Sequence, residues 1–199
     1  MNIDELLRRY AAGERSFSGV NLGKLLTEKV SLYRVNLCDV DLRSANLVDV
    51  DLCRTNFSRA NLSRANCYRA NLTAVNLIEA NLSEANLRSA NLILAELGRA
   101  TLVKATLTSA KLWKASLNGA NLSYADLSYA DLSGADLVGA DLTGANLTGT
   151  DVSGSNLVTA ILTKANLQDA DLSGTNLWKA NLQDAILRNT ILSDGTIQR

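Results

Sequence analysis

The sequence predicts an all-β solenoid, on three observations. The first is a period of five residues. In residues 121–147 the chain repeats Ala, then Asp or Asn, then Leu, then two variable positions, with Ala125, Ala130 and Ala135 in one phase and Leu127, Leu132 and Leu137 in another. The phase runs from Leu32 to Ile197 almost without a slip. Five matches neither the 3.6-residue turn of a helix nor the 3.5 of a coiled coil. The second observation is that Ala and Leu lie two apart. They therefore share one side of an extended segment, with Asp/Asn on the other, and the next two residues turn the chain. The third is charge. At the last variable position the signs alternate every twenty residues, as in Asp39, Arg59, Glu79, Arg99 and in Arg64, Glu84, Lys104. Stacked strands favour such pairs, whereas a spacing of fifteen would set Arg54 over Arg69. Four units per coil follow, giving about nine coils and a rod roughly 40 Å long at the ~4.8 Å strand spacing.

The elements follow in order. Asn2 or Asp4 is a helix N-cap; Ile3, Leu6, Leu7 and Tyr10 supply an apolar stripe, and Gly13 a stop. This short helix, within residues 1–14, is expected to cover the open end of the solenoid, which occupies 15–199 as part of a single domain. Phe17 and Leu22 already sit in the Leu phase. The segment 23–29 is irregular: Leu25 is large for the Ala slot and Thr27 replaces Leu, so a distorted first coil or a small bulge is expected. Val35, Val40, Val50 and Thr55 then take the Ala slot and call for slightly wider packing. Between residues 95 and 120 the polar slot becomes Glu96, Thr101, Thr106, Lys111 and Ser116 while the inward slots hold. At the end, Asp194-Gly195 signals a turn, and Ile186 and Ile191 take the polar slot. One buried Leu yields roughly 1.5–3 kcal/mol, whereas ordering five residues costs about 1–2 kcal/mol each. A unit alone cannot fold; stability has to come from stacking.

Composition narrows the function classes. The chain has no His and no Pro, and its formal net charge is zero. The charge is polarised: residues 1–119 carry 16 Lys/Arg against 11 Asp/Glu, and residues 120–199 carry 4 against 9. No apolar run reaches membrane-spanning length and no signal-peptide core is evident, so a cytoplasmic location without membrane contact is expected. Cys38, Cys53 and Cys67 show no metal-ligand spacing, and Cys67 sits in the Leu phase as a small core residue. Without His, a Gly-rich phosphate loop, or a nucleophile set beside a base, no catalytic residue, cofactor or metal site is expected.

Units such as Ala125-Asp-Leu-Ser-Tyr and Ala135-Asp-Leu-Val-Gly resemble the pentapeptide repeat family, from about Phe17 to Ile197. The opening Leu6-Leu-Arg-Arg-Tyr-Ala-Ala-Gly-Glu-Arg-Ser-Phe17 is similar to the start of cyanobacterial members. The resemblance implies a right-handed, four-sided parallel β-helix with Leu and Ala inward. Most of that family has no assigned biochemical role. A few members bind DNA gyrase as strongly acidic DNA mimics and confer quinolone resistance. This chain differs from those in its neutrality and in lacking a long loop insertion between coils.

Three surface features stand out. Arg54, Arg59, Arg64 and Arg69 occupy successive corners. They suggest nucleic-acid binding or an ordinary ion-pair lattice; the acidic residues one coil away from three of them favour the lattice, and no direct nucleic-acid binding is expected. Asp131, Asp151 and Asp171 recur in Asp-x-Ser-Gly at a spacing of twenty, below Lys111, and with Asp126, Asp136 and Asp141 form a negative belt. The choices are a partner-docking or cation-binding face and a solvated acidic face. Val138, Val158 and Trp178 make an apolar column near Ile186 and Ile191, and Ile93 with Trp113 a shorter one. A homodimer through the C-terminal end is one expectation from the longer column.

The resulting expectation is a non-catalytic interaction scaffold: a rigid, charge-polarised rod docking an unidentified protein partner. The alternative is a DNA-mimic regulator of a type II topoisomerase. An ice- or mineral-binding surface would need aligned Thr columns, which are lacking.

Overall fold

The computed structural model describes residues 1–23 and 31–199. Helix α1 spans Ile3–Ala11. Of the two N-cap candidates Asn2 takes the role: its Oδ1 accepts the Glu5 N–H at 2.8 Å. Asp4 and Glu5 in the first turn and Arg8 and Arg9 in the last complement the helix dipole. Gly13, at φ +96°, turns the chain out of the helix, and its N–H reaches Tyr10 O at 3.0 Å. The apolar stripe faces the solenoid: Leu6 is fully buried, and Ile3, Leu7 and Tyr10 pack against the same core. The Tyr10 hydroxyl donates to Cys38 O at 2.9 Å, tying the helix to a coil.

The rest of the described chain is a parallel solenoid. Parallel bridges join residues twenty apart, from Ser31↔Asp51 to Asp171↔Ile191, so four units complete each coil. One step differs. Ser16 pairs with Asp41 and Asn21 with Asn46, twenty-five apart, so one additional unit's length of chain lies between Asn21 and Ser31. The irregularity expected at 23–29 coincides with that step, but beyond Gly23 it lies outside the described residues.

One unit shows how the backbone is satisfied. The Leu132 N–H donates to Asp151 O (2.7 Å) and the Gly134 N–H to Ser153 O (2.9 Å), while the Asp151 N–H returns to Ala130 O (3.0 Å). The Ala135 N–H closes the corner on Leu132 O at 3.0 Å. The polar slot completes the set: Asp131 Oδ1 accepts the Ser133 N–H at 3.0 Å. Asn and Asp repeat this two-residue bond along the body, as at Asn56 and Asp171. Their recurrence is therefore turn chemistry as well as outward polarity. The corner residue is left-handed in every unit from Arg34 to Asn189, from φ 51° at Ala74 to 66° at Gly174. Glycine there removes the Cβ strain that Arg, Glu or Tyr accepts at the same position.

The Leu and Ala slots form one dry column, in which Leu32 through Leu172 are buried. Deviations compensate locally. Phe57 and Cys67 occupy Leu slots ten residues apart, on opposite sides of a twenty-residue coil, so a large side chain faces a small one. Burial pushes the Cys67 thiol up to about 12, which suits a packing role rather than a reactive one. Thr in the Ala slot donates to a carbonyl, Thr55 to Leu32 O at 2.6 Å and Thr150 to Leu127 O at 2.8 Å. Ser155 is the exception: its buried Oγ has no protein partner among the described residues.

At the C-terminus Asp194-Gly195 turns the chain back, and β1 (Thr190–Ile191) pairs antiparallel with β2 (Ile197–Gln198). Leu177, Leu182 and Leu187 of the last coil are only partly buried. Their N–H groups find no backbone acceptor among the described residues. Among the described residues no helix covers this end, whereas α1 covers the other. Among the described residues no helix is long and apolar enough to cross a membrane.

Candidate interaction faces

The twenty-residue ladder fixes what stacks on what. Asp131, Asp151 and Asp171 form one column, running Lys111↔Asp131↔Asp151↔Asp171↔Ile191. Each carboxylate is already engaged with its own turn. Asp131 also accepts the Ser133 hydroxyl at 2.5 Å, Asp151 accepts the Ser153 N–H at 2.9 Å, and Asp171 the Ser173 N–H at 2.8 Å. The Oδ1 of each is thereby held against the backbone of its own turn. Among the described residues no group of acidic, thiol or imidazole side chains converges to hold a metal ion. The column is a rigid acidic track beside small residues, Gly134, Gly154 and Gly174 filling its corners.

Asp126, Asp136 and Asp141 lie in the other three units of the same twenty-residue coil, where each caps its turn. Asp126 is half-buried. Burial opposes its charge, but hydrogen bonds from Ser128, Thr108 and Asn146 together hold it below the ordinary carboxylate range.

The basic corners behave as a lattice. Arg59 pairs with Asp39 (2.8 Å), Arg64 with Glu84 (3.0 Å), Arg69 with Asp49 (2.6 Å), and Arg99 with Glu79 (2.6 Å), each one coil apart. Hydrogen bonds from the guanidiniums of Arg59 and Arg64 lower the pKa values of Asp39 and Glu84. These pairs are exposed, so each contributes little alone; they set charge register more than stability. Of the four corner arginines, Arg54 has no ion pair among the described residues.

Val138, Val158 and Trp178 stack on one side. The two valines are half-buried, whereas Trp178 is 61% exposed with the Lys179 Nζ 4.2 Å from its ring centroid. Ile186 is 52% exposed beside the C-terminal end. Ile191 lies elsewhere in that end: it pairs with Ile197, and β2 half-covers it. The proposed apolar contact therefore centres on Trp178 and Ile186.

An aromatic pair and an exposed leucine escaped the sequence reading. Tyr124 and Tyr129, both more than 60% exposed, lie over Gly144 and Gly149 one coil on. A Cβ on either glycine would come within 2.7 Å of the ring. The Tyr-to-Gly spacing of twenty was the available signal. Leu94, 49% exposed, stands beside Ile93 and one coil below Lys114, its neighbour Trp113 stacking over Ile93.

The units match the family model for pentapeptide repeats in eight copies, between residues 16 and 196. HetL, a pentapeptide repeat protein involved in heterocyst differentiation regulation in the cyanobacterium Nostoc sp. strain PCC 7120, is 34% identical over 100% of both chains, with a TM-score of 0.49. A trypsin-treated form of QnrB1, a plasmid-mediated fluoroquinolone resistance protein, is 21% identical over 88% of this chain and 90% of its own, with a TM-score of 0.58. The second likeness is one of fold alone. No curated protein sequence matches the chain.

Proposed function

The chain belongs to the pentapeptide repeat family, and we propose that it is a non-catalytic, cytoplasmic scaffold. In this reading the right-handed, four-sided rod, with its cap (1–14) and body (15–199) as one domain, docks a protein partner through its acidic C-terminal half. The observation that carries it is the track of Asp131, Asp151 and Asp171, whose carboxylates are pre-oriented by their own turns. A surface whose side chains are already fixed loses little conformational entropy on docking.

DNA mimicry is the second reading, kept for the fluoroquinolone-resistance role of QnrB1. A mimic presents phosphate-like charge along most of its length. Here the first 119 residues carry a five-charge positive surplus. The protein is accordingly expected to leave gyrase supercoiling uninhibited at micromolar concentration. Replacing all three aspartates by Asn retains the Oδ1 acceptor that closes each turn and removes like-charge repulsion. The triple variant should therefore melt at the native temperature or slightly above, while losing a partner that the native protein retains from host extract. Potent gyrase inhibition that vanished in the triple variant would overturn this reading in favour of mimicry.

In the same reading two copies meet end-on at the C-terminal coil, where Leu177, Leu182 and Leu187 leave N–H groups unpaired among the described residues beside exposed Ile186. Ile186→Asp should abolish that end-on association in sedimentation velocity. Association unchanged by the substitution removes the end from the interface.

A further inference from the structure

One side of the solenoid breaks the pattern of the other three. On those three the corner charges alternate and close on one another, as Asp39–Arg59, Arg64–Glu84 and Asp49–Arg69. On the side that begins at Ser31 the charges, Asp51 apart, are segregated along the rod instead, basic towards the N-terminus and acidic towards the C-terminus. Arg54 stands towards the N-terminal end, Lys111 and Lys114 near the middle, and Asp131, Asp151 and Asp171 beyond them. Among the described residues none of these six takes part in an ion pair within the chain. Size is segregated in the same place. Ile93, Leu94 and Trp113 protrude on one half, and only Ser133, Gly134, Ser153 and Gly154 face outward beside the aspartates on the other.

The two halves of this side complement each other. A twofold axis lying across the side, between the Lys111 and Asp131 rungs, reverses the rod and keeps each column facing its own copy. Lys111 then faces Asp131, and Trp113 faces Ser133 with Gly134 beside it. Ile93 and Leu94 face Ser153 and Gly154. Arg54 faces Asp194, the corner residue of the last rung. No column sets like charges opposite each other; Asp51 faces Ile191, and in the other rungs bulk meets glycine or serine. A contact that repeats about a dyad must be self-complementary in this manner.

We propose that this side is a contact between two copies of the chain, lying side by side and antiparallel. Roughly eight rungs from Asp51 to Ile191, at ~4.8 Å spacing and about 10 Å width, offer roughly 400 Å² on each copy. That is about half the area of a standard interface. The pair is therefore weak, forms at high protein concentration, and loosens with salt because charge pairs help to hold it together. It is separate from the end-on contact, which uses other residues.

Sedimentation velocity of the full chain, from about 10 µM to about 0.5 mM, tests it. Native protein should shift from monomer to dimer, and salt should reverse the shift. Lys111→Asp with Lys114→Asp in one variant, and Asp131→Lys in another, should each dimerise roughly tenfold more weakly or worse. Mixed in equal amounts they should pair, because the Asp at position 111 then faces the Lys at position 131 and native Asp131 faces native Lys111. The rungs already accept Lys in this slot at Lys111, and circular dichroism checks that both variants fold. Ser153→Trp, which fills the surface opposite Ile93, should also weaken the pair. Native protein that stays monomeric, variants that dimerise unchanged, or a mixture that does not pair overturns the proposal. So does complete loss of association in Ile186→Asp, which would place the whole contact at the end.

Discussion

Leu132→Asp is expected to unfold several coils, at a cost of about 4–5 kcal/mol or more. Leu132 is fully buried, and the column around it leaves almost no free volume. The space enclosed by Leu132, Leu137, Leu142, Leu147 and Val152, with the leucines of the next coils, amounts to about 10 Å³. That is at the lower limit for one water molecule, so solvent cannot follow the carboxylate inward. The substitution removes the leucine packing, for which about 2–5 kcal/mol is usual, and adds an unpaired charge. At roughly 2–4 °C per kcal/mol for a chain of this size, the melting temperature should fall by on the order of 10–20 °C. Ser133→Asp, one residue on, points outward. Its cost is repulsion with Asp131 and loss of the hydroxyl bond to it, about 1 kcal/mol or less. Circular dichroism melts of the two variants are the check. Equal shifts would overturn the assignment of inward and outward slots.

The second large effect is expected at the cap. Leu6→Asp should undock α1, because Leu6 is its one fully buried residue and a carboxylate there has no partner. The loss of local stability is on the order of 3 kcal/mol. The body should persist, since coil-to-coil hydrogen bonds continue without the helix. Undocking uncovers unpaired backbone groups and apolar side chains at the coil end, a template for pairing with other chains. Trypsin should then cleave rapidly at Arg8, Arg9 and Arg15 while the body stays resistant, and the protein should elute as larger species. Ala11→Glu, on the exposed side of the same helix, is the control and should do neither. Equal behaviour of the two variants would mean that α1 is not a cap.

Much of this molecule was legible because a solenoid is nearly one-dimensional. The five-residue period assigned the inward slots, since Ala and Leu two apart must share a side of an extended chain. The charges then set the coil length: Asp39–Arg59 and Arg64–Glu84 are ion pairs because twenty residues bring the chain back over itself. The helix at the start was equally readable from Leu6 and its neighbours.

Other features depended on where separate coils meet. The twenty-five-residue step between Ser16 and Asp41 leaves the five-residue phase intact, so the sequence marked an irregular segment at 23–29 but only the bridges give the length of the step. Asp131 looked like an outward charge, but its Oδ1 is fixed by the geometry of its own corner, set by φ +65° at Gly134. Ile191 looked exposed until β2 folded back over it. The segregated side is likewise visible only once Arg54, Trp113 and Asp151 are known to share it. Periodicity determined which residues point inward, because that is decided within five residues. The fold decided which outward residues become neighbours, because that depends on the summed length of the coil between them.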